Sequence, residues 1–296
     1  MANPNRQERV KPATPQGIVF LTGFALLAFA GNSLLTRAAL SQALIGAGAF
    51  AGIRLASGAL MLIAANGFAW RRALPGPKDG PAIFALLIYM GCFSFAYKAL
   101  GAANGALILF ASVQISMAAI AAARGEPPSA RQAGGLALAF GGLIWLLAPG
   151  ISAPPLVPGA LMAAAGAAWG IYTLLGRAAS DAIAANARNF LGAAPLGLAL
   201  LWLEPAATPS AAGIGLAIGA GAVTSGLGYA IWYRALAHLS PATAGAVQLL
   251  VPVLAAAGAN LWLGEQLSIR LLLACIAILT GIALTLRFRR ETAPAA

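Results

Sequence analysis

From residue 17 to residue 287 the chain is a succession of apolar runs about 20 residues long, broken by charged or Pro/Gly-rich corners. Some twenty apolar residues in a helix cover the ~30 Å hydrocarbon core of a bilayer. The pattern therefore predicts ten transmembrane helices, near 17–36, 44–66, 79–98, 102–122, 131–149, 157–176, 183–203, 212–235, 241–263 and 269–287. The corners are too short to hold a soluble domain. The two ends, 1–16 and 288–296, are polar and rich in Pro and Ala, and read as disordered cytoplasmic tails. Ala28-Phe29-Ala30 resembles a small-residue cleavage site, but the apolar run from Gly17 to Leu35 exceeds the about 7–15 residues of a signal h-region. The expectation is a retained first helix.

Composition sharpens the class. The chain is 60% hydrophobic and only 8% charged, where a soluble domain carries about 25% charged residues. Too few charges remain to build a water-facing surface, so the reading is an all-α polytopic membrane protein with the lipid bilayer as its environment. A net charge of +11 does not call for nucleic acid, because the basic residues gather in the corners of one side. With the first residues inside, the inner face receives Arg6, Arg9, Lys11, Arg71, Arg72, Lys78, Arg124, Arg131, Arg177, Arg188, Arg234, Arg287, Arg289 and Arg290. The outer face receives only Arg37, Lys98 and Arg270. This bias predicts a multi-pass protein of the bacterial inner membrane with both termini cytoplasmic. Cys92 and Cys275 lie in apolar segments and read as packing residues. There is no HExxH, no P-loop and no Cys/His cluster, so no catalytic residue, metal or cofactor is expected and the chain does not read as an enzyme.

The chain repeats itself. Tyr97-Lys98-Ala99-Leu100 is answered by Tyr233-Arg234-Ala235-Leu236, and Gly125-Glu126 by Gly264-Glu265. Leu34-Leu35-Thr36-Arg37-Ala38-Ala39 is echoed by Leu174-Leu175-Gly176-Arg177-Ala178-Ala179, and Arg54 by Arg188. The repeats span 17–149 and 157–287, five helices each. Five is odd, so the second half must sit upside down relative to the first. Inverted repeats are the usual construction of secondary transporters, since two pseudo-symmetric halves give inward-open and outward-open states of similar energy.

These features resemble the drug/metabolite transporter superfamily and, within it, the EamA-type permeases. The resemblance rests on the Tyr-x-Ala-Leu ends of helices three and eight, Pro252 in helix nine, Gly-Glu after helices four and nine, Trp169-Gly170, and the in-helix Arg54. It extends over residues 17–287. Ser116 departs from it, standing where a proline of the fourth helix is usual. Among members the chain looks most like the bacterial exporters of aromatic amino acids (the YddG type). The resemblance implies export of aromatic and other neutral amino acids, or related small metabolites, by alternating access. Other cargo, such as bases, nucleotide-linked sugars or drugs, and a non-transporting scaffold or sensor, are the competing readings.

Spacing also picks out candidate cavity residues. Tyr89, Phe93 and Tyr97 align with Ser225, Tyr229 and Tyr233 at four-residue steps, so each set shares a helix face. They form either an aromatic wall around a cavity, the reading preferred for Tyr89, Phe93 and Tyr229, or an interfacial belt, preferred for Tyr97 and Tyr233. Ser112 and Ser116 align with Gln248 and Pro252. A Gln amide facing lipid is costly, and Pro252 removes a helix hydrogen bond, so this set either lines the cavity or packs helix to helix. Asn32 and Ser33 interrupt the first apolar run, and Trp169 and Tyr172 share a face of the sixth; both pairs fit cavity or packing equally. A ring-lined pocket with a few amides and hydroxyls suits a neutral or aromatic amino acid. All seven acids lie at loops or ends, so no mid-helix carboxylate offers a proton relay. Arg54 and Arg188 lie within helices and either pair structurally, with a Glu or helix-end carbonyls, or touch a substrate carboxylate. Gly134, Gly135, Gly141 and Gly142, with Ala277 and Gly281, give small-residue faces for bundle packing or a homodimer.

Overall fold

A computed structural model describes residues 14–126, 128–150, 153–176, 179, 181–204, 208–236, 238–239 and 247–285. Among them the secondary structure is helical, without strands. The elements are α1 (Pro15–Ser41), α2 (Ala47–Ala65), α3 (Gly80–Tyr97), α4 (Ala102–Ala123), α5 (Ala130–Leu147), α6 (Leu156–Gly176), α7 (Ala182–Ala199), α8 (Ala211–Leu236), α9 (Leu250–Leu263) and α10 (Ile269–Thr285). α1 to α6 and α8 are long and apolar enough to cross a membrane; α9 and α10 are shorter apolar helices. α7 carries Asn186, Arg188 and Asn189, the most polar turn within any of these helices. The chain is a multi-pass membrane protein.

Local chemistry sets several helix ends. Thr14 caps α1 by accepting from the Gly17 amide, with Pro15 at the first turn, where its missing N–H costs nothing. Ser129 and Gln132 cap α5 reciprocally. Asp181 caps α7 through the Ala184 amide. Ser210 caps α8 at Gly213 and also donates to the Leu44 carbonyl at 2.9 Å, tying α8 to the α1–α2 corner. α9 closes on Gly264 at φ +66°, a left-handed cap that favours glycine.

The helices approach closely because their facing positions are small. A Cβ on Gly281 would stand 2.5 Å from the Gly135 carbonyl oxygen, and one on Gly135 equally near that of Gly281, so α5 and α10 meet backbone to backbone. Gly134 and Gly141, on the same helix, have open space where their Cβ atoms would be. α2 packs against α7 and against the middle of α8, α3 and α4 against α6, and α1 against α8 and α9. Exchanging α1–α5 with α6–α10 maps these principal pairs onto one another: α3–α6 becomes α8–α1, α4–α6 becomes α9–α1, and α2–α8 becomes α7–α3, while α2–α7, α5–α10 and α4–α9 map onto themselves. Large apolar side chains such as Phe20, Leu60, Phe84, Phe140 and Ile276 are exposed, as a lipid-facing surface requires. The polar side chains Asn32, Thr36, Arg54, Asn186, Asn189, Thr224 and Ser225 are buried.

One helix is not regular along its length. Residues Gly219–Leu227 of α8 are wound as a π-helix, a wide turn that is rare and recurs at functional sites. It packs on α2, where a Cβ at Gly221 would collide with the Arg54 backbone and the Ser57 hydroxyl.

Candidate substrate cavity

A cavity lies where α1, α3, α4, α6, α8 and the stretch before α9 converge. Phe29, Asn32, Ser33, Tyr89, Phe93, Leu109, Phe110, Trp169, Tyr229 and Gln248 line it. None of these is acidic or basic. The cavity has room for about one water molecule, so the walls must part to admit anything larger.

Trp169 is the hub of the ring cluster. Its centroid lies 4.9 Å from Tyr89, 5.0 Å from Tyr229 and 5.5 Å from Tyr172. Phe93 extends the cluster from Tyr89 to Tyr97, and Phe29 meets Tyr229 edge to face. Such tilted and edge-on pairs are the preferred arrangements of aromatic quadrupoles. A polar seam borders the rings. Asn32 Nδ2 donates to the Tyr89 hydroxyl at 3.4 Å, and Thr224 Oγ1 donates to Asn32 Oδ1 at 3.2 Å. Thr224 belongs to the π-helical turn, which thereby reaches the cavity wall.

Of the sequence candidates, Asn32, Ser33, Tyr89, Phe93, Trp169, Tyr229 and Gln248 come together around this cavity. Tyr172, Ser112, Ser116 and Pro252 are not among its lining residues. Tyr172 stacks on Trp169, donates its hydroxyl to Asn186 Oδ1 and accepts from Asn189 Nδ2, which anchors the hub to α7. Ser112 and Ser116 are covered because Gly166 and Gly170 draw α6 onto α4; a Cβ on Gly166 would lie 2.5 Å from the Leu109 carbonyl oxygen, and one on Gly170 2.5 Å from Ser116 Oγ. Only the larger Leu109 and Phe110 reach the cavity from α4. Pro252 is buried in the first turn of α9. Sequence spacing singled out neither Phe29, Leu109 and Phe110 nor Thr224, Asn186 and Asn189; the polar residues of α7 were the available signal.

The two in-helix arginines have different fates. Arg188 Nε meets the Asp79 carboxylate at 3.2 Å. Arg54 is fully buried beside the cavity, where Nε donates to Ser225 Oγ at 3.1 Å and Nη2 to the Tyr89 hydroxyl at 3.2 Å. Among the described residues its partners are hydroxyls and rings.

Ion pairs fasten the end of the bundle that carries Arg37 and Lys98. Arg37 Nε meets Glu265 at 2.8 Å and its Nη1 donates to the Tyr97 carbonyl, while the other oxygen of Glu265 accepts from the Ala102 amide at 2.7 Å. Lys98 Nζ meets Glu204 at 2.6 Å, and Glu204 also accepts from the Gly48 amide. Burial alone would raise the Glu204 carboxyl; the hydrogen bonds from Lys98 and Gly48, with the Lys98 charge, hold it below the ordinary carboxylate value.

Comparison with known proteins identifies the class. Residues 157–287 match the EamA-like transporter family. The chain is 47% identical over 269 residues to the uncharacterized protein PA1977 of Pseudomonas aeruginosa, covering 90% of this chain and 94% of that one. The second half of the chain is thus similar to the EamA-like transporter family. A solved crystal structure shares the chain's fold, with a TM-score of 0.64 at 20% identity over 94% of this chain and 99% of the other. EamA-like proteins are membrane transporters of small molecules. The segment matched to the EamA-like family supplies Trp169, Tyr229 and Gln248 to the cavity; the remaining lining residues come from the first half.

Proposed function

We propose that this EamA-like transporter exports neutral amino acids, aromatic ones among them, across the bacterial inner membrane by alternating access. The observation that carries this reading is the cavity itself: a cluster of rings around Trp169, edged by the Asn32 amide and the Tyr89 hydroxyl, with no acid in its lining. Rings bury an apolar side chain; amides and hydroxyls meet ammonium and carboxylate groups.

Residues 17–149 and 157–287 act as inverted repeats, a reading supported by the duplicated motifs and by the exchange symmetry of the helix pairs. Both termini lie in the cytoplasm, as the Lys/Arg bias argues, and the Arg37 and Lys98 ion pairs then close the outer end. All seven acids lie at loops or ends, which supports transport uncoupled from protons over coupling through a less obvious group. Organic cations find no acid here, and multiply charged phosphates find no cluster of bases.

The test is uptake of labelled phenylalanine, threonine and uridine monophosphate into proteoliposomes, with and without a proton gradient. Phenylalanine flux that ignores the gradient is expected. Flux of the nucleotide alone would overturn the cargo, stoichiometric proton uptake would overturn the uncoupled mechanism, and no flux of any small molecule would favour a scaffold or sensor.

A further inference from the structure

Arg54 is a buried cation without a counter-ion. Its side chain is fully buried, and the acids of the described residues are engaged elsewhere. Asp79 pairs with Arg188, Glu204 with Lys98 and Glu265 with Arg37, while Asp181 caps α7 and Glu126 is exposed. Holding an unpaired cation inside a membrane bundle is costly, and such residues mark ligand pathways more often than packing. Part of the cost is offset by the Phe93 ring, 4.9 Å from the guanidinium carbon, and by Ser225. The offset is incomplete, because Nη1 is buried with no hydrogen-bond partner.

Arg54 also stands against the cavity, since Tyr89 and Phe93 are both lining residues. Two donors, Arg54 Nη2 at 3.2 Å and Asn32 Nδ2 at 3.4 Å, converge on the single Tyr89 hydroxyl oxygen. Both distances are long for groups that could pair with a charged acceptor, whose bonds to a guanidinium run about 2.7–2.9 Å. A carboxylate in place of that hydroxyl would take both donors and Nη1 besides, and would supply the missing charge. Ser225 fixes the far side of the guanidinium. Its hydroxyl is held in turn by the Ala220 carbonyl at 2.8 Å, five residues back, a spacing that the π-helical turn brings into register.

We infer that Arg54 is the carboxylate subsite of this cavity, with the Tyr89 hydroxyl as the acceptor that a ligand's carboxylate displaces. The inference rests on the proposed transport reading and narrows its cargo to monocarboxylates, amino acids included, over neutral or purely cationic aromatics.

The experiment is thermal stabilisation of the purified full-length protein by matched ligand pairs: phenylalanine against phenylalaninamide, and benzoate against benzamide. It is run on the natural protein, Arg54→Gln, Arg54→Lys and Tyr89→Phe. Each acid is expected to bind at least tenfold tighter than its amide. Arg54→Gln erases that ratio, Arg54→Lys keeps part of it, and Tyr89→Phe, lacking the competing hydroxyl, keeps or enlarges it. If Arg54→Gln does not fold, the acid–amide ratio in the natural protein and its change in Arg54→Lys and Tyr89→Phe decide. Equal binding of phenylalanine and its amide would overturn the subsite and leave amino-acid transport standing. Arg54-dependent binding of benzoate but not of phenylalanine would keep the subsite and overturn the amino-acid reading. No stabilisation by any carboxylate would overturn both.

Discussion

Arg37 and Glu265, 228 positions apart in sequence, meet at 2.8 Å, and the second oxygen of Glu265 takes the first amide of α4. One carboxylate thus joins the end of α1, the α3–α4 corner and the segment after α9. Both partners are about four-fifths covered, so removing either strands a partly buried charge.

Glu265→Gln and Arg37→Gln are each expected to cost about 1–3 kcal/mol, the usual penalty for an orphaned buried group. Under the proposed alternating access the pair closes one end of the bundle, so both variants are expected to shift the protein toward the state open at that end. Cysteine accessibility beside Ala102 measures the shift; accessibility equal to that of the natural protein would show that the pair is not a closure.

Glu204 gives a pH signature. Its folded carboxyl sits below the ordinary value, so its contribution is present above that ordinary value and fades as pH falls through the lowered one. The effect is small, under about 1 kcal/mol, because Lys98 is half exposed and water screens the pair. Unfolding temperature measured from neutral to acid pH should fall more steeply for the natural protein than for Glu204→Gln; parallel curves would contradict the assignment.

Glycines on facing helices divide cleanly. Gly281→Val drives a side chain into the Gly135 carbonyl and the Ala139 amide, an overpacking expected to cost about 1–3 kcal/mol. Gly141→Ala meets open space and gains helix propensity, so it should be neutral or mildly stabilising. Folded yields and unfolding temperatures in detergent compare the two directly.

Pro252 cannot supply the amide that would close the turn on Gln248, and Gln248 lines the cavity. Pro252→Ala is expected to reduce flux several-fold while leaving folded yield within about twofold, since Pro252 stands in the first turn of α9, where alanine is readily accommodated. Flux measured per folded molecule decides; unchanged flux would remove Pro252 from the mechanism.

Much of the helical layout was legible because apolar runs are long and their caps are local. Thr14, Ser129, Asp181 and Gly264 act within a few residues of themselves, where sequence reasoning is strong. Asn32 and Ser33 stood out as polar residues within an apolar run, and Tyr89, Phe93 and Tyr229 by four-residue spacing. What failed to show was which helix faces which. Ser112 and Ser116 share an offset with Gln248 and Pro252, yet Gly166 and Gly170 bring α6 over the serines. Arg54 and Arg188 occupy similar depths in α2 and α7, yet Asp79 reaches only Arg188, because the start of α3 lies against α7. The π-helical winding of Gly219–Leu227 does not follow from its Gly/Ala-rich composition; contact with α2 makes it meaningful.

That the cavity around Trp169 carries the substrate is tested most directly by phenylalanine counterflow in proteoliposomes containing Tyr229→Cys in a background with Cys92→Ala and Cys275→Ala. A small water-soluble thiol reagent should abolish flux, and saturating phenylalanine should slow the modification. Flux that persists after complete modification of the thiol at position 229 would contradict the cavity's role and return the ring cluster to ordinary packing.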